Sequence, residues 1–274
     1  PERLRLLLVL TVADIRAVGP GVWNGWKGQL LRTLYDQVNR LFRGEDVDRE
    51  TPLADRPELV AQARLDGSAV AATPQAAGHL SQTTEIAVAA RDRTGLFADL
   101  VETMAALGAD ITDARVATTD EGLVLDIFQF QDGAGAPYGR AEPRKLKELI
   151  AALDAVARSE GAVRQVVEPR PSLRRAVFEV RPVVMIDTVT SEMATVIEVS
   201  GADRPGLLAE ISRTLSDHDL SIRTAHIASF GERAVDSFYV TDGGGGKVAS
   251  EAVLDQVHAA LIQVVERSLQ PPGG

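Results

Sequence analysis

The feature that most restricts how this chain can fold is a long-range internal repeat. Thr84-Glu85-Ile86-Ala87-Val88 lies over Thr195-Val196-Ile197-Glu198-Val199 at an offset of 111 residues. The same offset carries Asp92 to Asp203, Arg93 to Arg204, Gly95 to Gly206, Leu100 to Ile211, Thr103 to Thr214 and Ile111 to Ile222. It then drops to 110, where Asp126-Ile127-Phe128 meets Asp236-Ser237-Phe238. A one-residue change in a hairpin turn accounts for the drop, because turn length is where antiparallel pairs tolerate variation. Whatever the first copy folds into, the second must repeat.

Each copy has the same succession of patterns. In the first, a strand at Glu85–Ala90 precedes a helix at Leu96–Leu107, and strands at Ile111–Thr118 and Leu123–Gln131 flank a hairpin at Thr119–Gly122. A second helix runs from Pro143 to about Ser159. The second copy gives Thr195–Ser200, Pro205–His218, Ser221–Phe230, Ala234–Thr241 and Ser250–Leu269. That is βαββα, and one further strand completes a ferredoxin-like βαββαβ sandwich of the α+β class. For that strand the first copy offers Val163–Val167, Ala176–Arg181 or Val183–Ile186, whereas the second ends in Gln270-Pro271-Pro272-Gly273-Gly274. One central strand is therefore predicted to pair with the second module, so that the two share structure.

The corner between first strand and first helix reads Asp203-Arg204-Pro205-Gly206-Leu207-Leu208 in one copy and Asp92-Arg93-Thr94-Gly95-Leu96-Phe97 in the other. Pro205 suits a first helical position, and the glycine permits close approach to the backbone. The unpaired N–H groups of a first helical turn can hold a carboxylate. Asp92 and Asp203 either cap the helix or meet the ammonium of a bound amino acid. Arg93 and Arg204 are exposed charges, or contacts to a ligand or partner. Asp126 and Asp236 sit in third strands beside Phe128 and Phe238; most strand aspartates face solvent or an edge, but the repeat of the pair points to a shared structural role. His226, in a strand, suits an interface between modules better than a metal site, since no two of the four histidines are spaced as ligands. Gly243–Gly246 lacks the Lys-Ser/Thr of a P-loop and reads as a surface loop.

Outside the repeat, Leu4 to Ala17 reads as a helix buried on most sides, broken at Val18-Gly19-Pro20-Gly21. Trp23 and Trp26 suit packing, and Gln29 to Phe42 reads as an amphipathic helix. Residues 44–83 read as a linker with a brief helical stretch at Leu59–Arg64. The expected division is 1–43 helical, 44–83 linker, 84–187 first module and 188–274 second module. With 29 basic and 39 acidic residues the net charge is −10, which disfavours DNA and anionic membranes as partners. Without cysteine there are no disulfides or thiolate metal sites, and Leu6–Val12 is too short to span a bilayer. A cytoplasmic protein is the plain expectation. Pro1-Glu2-Arg3 is no natural start, which suggests the C-terminal part of something longer.

Two βαββαβ modules carrying Asp-Arg-x-Gly-Leu at the first corner resemble a tandem of ACT domains, small modules that bind amino acids and regulate enzymes. Thr11–Trp26, Thr195–Leu208 and His226–Asp242 together resemble the bidirectional uridylyltransferase/uridylyl-removing enzymes that modify the nitrogen-regulatory PII protein. The resemblance implies a nucleotidyltransferase domain using UTP and an HD-type phosphohydrolase domain upstream, with Mg2+ or Mn2+ as cofactor. Residues 1–43 would be the end of that HD domain, and Asp14 falls where the family has its last metal-binding aspartate. The Gly-Ser nucleotidyltransferase motif and the rest of the HD site are not in this sequence, so the fragment alone is expected to be inactive. Glutamine is the effector the resemblance implies for the ACT pair. A non-enzymatic tandem ACT protein, or the regulatory end of another amino-acid-controlled enzyme, are the alternatives.

Overall fold

The computed structural model describes residues 2–18, isolated positions between 31 and 42, and residues 56–74, 83–119, 121–159, 180–230 and 233–267. The chain divides into two compact units, Pro1–Thr51 and Pro52–Gly274. In the first, helix α1 (Glu2–Val18) forms as its pattern predicts. The expected burial on most sides is not found: Leu6, Leu7, Val9 and Leu10 are 59–64% exposed. A helix apolar all round needs cover on every side, and the described residues do not supply it. Trp23 and Trp26 lie outside the described residues.

The second unit begins with helix α2 (Pro57–Asp66) and strand β1 (Ser68–Pro74). The first repeat follows as β2 (Thr84–Arg91), α3 (Leu96–Ala106), β3 (Asp110–Thr118), β4 (Leu123–Gln131) and α4 (Pro143–Ala157). The second comprises β5 (Val183–Asp187), β6 (Thr195–Ala202), α5 (Leu207–Asp217), β7 (Ser221–Phe230), β8 (Arg233–Thr241) and α6 (Glu251–Arg267). All eight strands join one antiparallel sheet in the order β1-β2-β4-β3-β7-β8-β6-β5.

Each half is a ferredoxin-like module with a changed entry. The edge strand beside β2 or β6 comes from the segment before the repeat, as β1 or β5, and not from after the second helix. The place is the same, because the pairing there is antiparallel and an edge can be filled by chain arriving from either direction. Part of the expected linker is thus sheet and helix. Val183–Asp187 pairs with β6, so this strand serves the second module, as predicted, and the boundary falls before Val183. Residues 160–179, which hold Val163–Val167 and most of the candidate Ala176–Arg181, lie outside the described residues.

Alternation sorts the side chains to two sheet faces. Ile86, Val88 and Ala90 of β2 and Val124, Phe128 and Phe130 of β4 face helices α3 and α4. Ile197, Val199, Phe238 and Val240 do the same under α5 and α6, and all belong to one continuous core. On the opposite face of the first module, Ala87, Ala89, Leu123, Leu125 and Ile127 are covered by Leu59, Val60 and Ala63 of α2. Gly201 has a packing role. A Cβ there would lie 1.9 Å from Val265 Cγ1, so α6 approaches β6 more closely than a side chain permits.

The halves meet at β3 and β7, where Asp113, Ala114 and Arg115 pair with Ala228, Ile227 and His226. Arg115 and His226 are themselves 111 residues apart, so a pseudo-twofold axis passes through their pairing. Both strands carry the same irregularity, at Ile111/Asp113 and at Ile222/Thr224. The exposed turn at Gly243–Gly246 is also repeated. Asp242 Oδ1 accepts from the N–H groups of Gly244 and Gly246 at 2.9 and 3.0 Å, as Asp132 Oδ1 does from Ala134 and Ala136.

Candidate ligand clefts between the paired modules

Each strand-to-helix corner turns on a glycine in the left-handed region, Gly95 at φ 81° and Gly206 at φ 82°. That backbone state favours glycine, which has no Cβ to strain it. The helices begin at Leu96 and Leu207, so Pro205 sits in the exposed turn before its helix and not at the first helical position. Neither Asp92 nor Asp203 caps a helix through its side chain.

The corner arginines have one role in both copies. Arg93 Nη2 lies 2.7 Å from Asp99 Oδ2 and donates to the Val156 carbonyl at 3.4 Å. Arg204 Nη1 lies 2.6 Å from Glu210 Oε1, and its Nη2 donates to the Val264 carbonyl at 3.4 Å. Each guanidinium thus ties its corner to the first helix and to the last turn of the second helix, where the backbone carbonyls favour a cation.

Pairing of the modules gives each corner an opposing wall from the other copy. The first recess, ≈ 20 Å³ and so room for about one water, is lined by Asp92, Arg93, Gly95, Leu96 and Phe97, with Asp126 from β4. Its far wall is Ser212 and Ser216 of α5 with Leu220 and Ile222. The second, ≈ 30 Å³, is lined by Asp203, Arg204, Gly206, Leu207 and Leu208, with Asp236 from β8, and faces Val101, Ala105, Ala109 and Ile111. The sequence-predicted site residues are therefore gathered by the fold, apart from Thr94 and Pro205. Thr94 Oγ1 instead meets Ser221 Oγ across the interface at 3.3 Å. Gly95 belongs at this contact, since a Cβ on it would stand 2.8 Å from Ser216 Oγ.

Asp126 and Asp236 correct the expectation that strand aspartates face solvent. Both lie in interior strands and are 1% and 2% exposed. Their phase could have shown this, because Asp126 alternates with Val124, Phe128 and Phe130, all on the core side. Both oxygens of Asp126 lack a hydrogen-bond partner. Burial first, and then the like charge of Asp92, push its carboxyl well above the ordinary carboxylate range. Asp92 is also raised, by burial, against the opposing pull of Arg223. Arg223 Nη1 reaches Asp92 Oδ2 from β7 at 3.5 Å. Two further buried groups are unsatisfied among residues lining the same recess, Arg93 Nε and Ser212 Oγ.

A charged bridge joins the first helices of the two modules. Arg213 of α5 donates to Glu102 through Nε and Nη2, at 2.6 Å each, and through Nη2 to Asp99 at 2.6 Å. Glu102 and Arg213 occupy equivalent repeat positions, so unlike modules pair charge to opposite charge. His226 lies at the seam as expected, edge-on to Tyr239 with ring centroids 6.3 Å apart. Burial and Arg115 lower its pKa.

The family described as the ACR family N-terminal ACT domain matches residues 190–268, the second module. The bifunctional uridylyltransferase/uridylyl-removing enzyme of Phenylobacterium zucineum is 42% identical over 98% of this chain and 33% of its own length. That of Caulobacter vibrioides is 42% identical with the same two coverages, and that of Azospirillum brasilense 38% identical over 97% of this chain. This chain resembles bifunctional uridylyltransferase/uridylyl-removing enzymes. It spans about a third of the length of those relatives. Aspartate kinase from Synechocystis shares 20% identity at a TM-score of 0.39, over 69% of this chain and 28% of that one.

Asp14 is exposed on α1. Among the described residues no three His, Asp or Glu side chains converge to hold a metal ion. No helix of the described residues is long and apolar enough to cross a membrane.

Proposed function

We propose that this chain is the amino-acid-sensing regulatory region of an enzyme that uridylylates and deuridylylates the PII signal protein, with glutamine as effector. The observation that carries the reading is the pair of interface recesses, each built from a glycine corner of one module and a helix of the other. A ligand seated there touches both modules, so its binding free energy depends on how they are docked. Such differential binding is what an effector needs, because a ligand that binds two states equally shifts neither. The similarity to uridylyltransferase/uridylyl-removing enzymes over 98% of the chain supports the enzyme to be regulated. UTP and a divalent metal ion would act on domains upstream of this region, and the fragment alone would be inactive. Asp14 would contribute to the uridylyl-removing site only together with ligands from those domains.

Isothermal titration of the 274-residue chain with glutamine, glutamate and glycine tests the sensor directly. Saturable heat with glutamine at millimolar concentration or below is expected. No heat with glutamine contradicts glutamine as the effector.

A further inference from the structure

We propose that the first recess is a site for one buried water molecule that joins the two modules: the water accepts from Arg93 Nε–H and the Ser212 hydroxyl and donates to Asp126. Arg93 and Asp126 belong to the first module and Ser212 to helix α5 of the second, so the site is complete only while the modules are docked.

Size and charge together select the occupant. The recess has ≈ 20 Å³, and a buried water needs roughly 10–15 Å³ and about two to four polar partners. Three groups that line the recess are buried and without a hydrogen-bond partner, and they differ in kind. Asp126 offers two acceptor oxygens and is 1% exposed. Arg93 offers Nε–H, since its other guanidinium nitrogens are engaged by Asp99, Thr94 and Val156. Ser212 offers a hydroxyl and is 0% exposed. Unsatisfied buried polar groups are costly and uncommon in folded proteins. A bare cation cannot accept from Arg93 Nε–H and would stand beside the guanidinium charge. An anion would meet the carboxylate of Asp126 and that of Asp92, which acts on it. A neutral molecule that both donates and accepts answers all three groups, and at this size that molecule is water.

The second recess, ≈ 30 Å³, does not repeat the set. The positions equivalent to Ser212 and Ser216 are Val101 and Ala105, so its far wall is apolar. Asp236 interacts elsewhere in the protein, and only its Oδ1 lacks a hydrogen bond. One acceptor is fewer than the partners a buried water needs. The bridging water therefore belongs to the first recess. Its exchange with bulk solvent follows undocking of the modules, which the bonds from Arg213 to Glu102 and Asp99 oppose.

The test is oxygen-17 relaxation dispersion of water, which counts buried waters of long residence. It is run on the full 274-residue chain and its Ser212→Val, Asp126→Leu and Arg213→Ala variants, with thermal melts to establish that each is folded. Ser212→Val removes a partner and fills the space, and Asp126→Leu removes the acceptor; each should lower the count by one. Arg213→Ala should keep the water and shorten its residence by about 5- to 10-fold, the worth of charge-assisted bonds partly exposed to solvent. A count that is unchanged in folded Ser212→Val and Asp126→Leu overturns the site. A residence time that is unchanged in Arg213→Ala overturns its link to docking. A crystal structure of the wild-type chain grown in potassium chloride decides the matter if neither variant at the site folds. The expected result is one water within about 2.5–3.2 Å of Asp126, Arg93 Nε and Ser212 Oγ. An empty recess, or a peak whose anomalous scattering marks potassium or chloride, overturns the proposal.

Discussion

The two clefts share a backbone and differ in what lines them. In each, a left-handed glycine turns the chain into a helix, an arginine ties the corner to its own module, and a buried aspartate lies in an interior strand. The first faces serines and holds an aspartate without a hydrogen-bond partner; the second faces valine and alanine. Duplication supplies geometry twice, but each wall belongs to the other copy, so a substitution in one module changes the partner's cleft. The side chains that distinguish the sites sit about 110 residues from the corners they serve.

The largest expected effect separates the modules by packing. Gly201 stands where the first module has Ala90, and a Cβ at 201 meets Val265. Gly201→Val should destabilise the chain in urea by about 3 kcal/mol, as overpacking does. Ala90→Gly should cost about 1 kcal/mol, the backbone penalty of glycine. Equal effects would mean that the two second helices pack alike.

Asp126→Asn should raise stability in the absence of ligand, and the sign follows from its raised pKa. A carboxyl whose folded pKa lies above the unfolded value near 3.8 stabilises the fold fully only below that value. The contribution is lost as pH rises through the folded pKa. The slope is at most about 1.4 kcal/mol per pH unit. Asp92, the charged group that acts on Asp126, and Arg223, which pairs with Asp92, are common to both proteins, so the difference isolates Asp126. Melts of wild type and variant should coincide near pH 4 and separate, with the variant higher, toward pH 8. Asp236→Asn should give a smaller gain, because Asp236 interacts elsewhere in the protein and only its Oδ1 lacks a hydrogen bond. A wild type that equals or exceeds Asp126→Asn at pH 8 would show that the carboxylate is accommodated without a ligand.

A smaller effect belongs to the pairing of unlike modules. Arg213→Glu sets three carboxylates together and should cost about 1–2 kcal/mol for the charge-assisted bonds lost; partial solvent exposure keeps it from being larger. Adding Glu102→Arg should recover part of the loss in a double-mutant cycle. Simple additivity would argue that Glu102–Arg213 contributes nothing to register.

The smallest effect is at the axis. His226 has a lowered pKa, so its contribution is present above the unfolded value near 6.5 and lost as pH falls through the folded value. Arg115 across the seam opposes its protonation, and Tyr239 packs on its edge. His226→Gln should flatten the fall in melting temperature below pH 6.5 by a few degrees or less. An unchanged slope would assign the acid sensitivity to other groups.

Periodicity placed the strands and helices of both repeats within a few residues, because each element alternates or turns against one core. The edge strands were harder to read. Ser68–Pro74 is built of small residues, and nothing in its alternation says which half it joins or from which direction. The corners were legible from the repeat, and Asp126 was legible in its phase with Phe128 and Phe130. Ser212 and Ser216 were not. They look like ordinary helix positions until the pseudo-twofold axis turns α5 toward the first corner.

The most direct measurement is a crystal structure of this chain grown with saturating glutamine. Glutamine bound between the modules beside a glycine corner, at Gly95 or Gly206, is the expected result. Glutamine lying away from both corners, or bound nowhere, would contradict it.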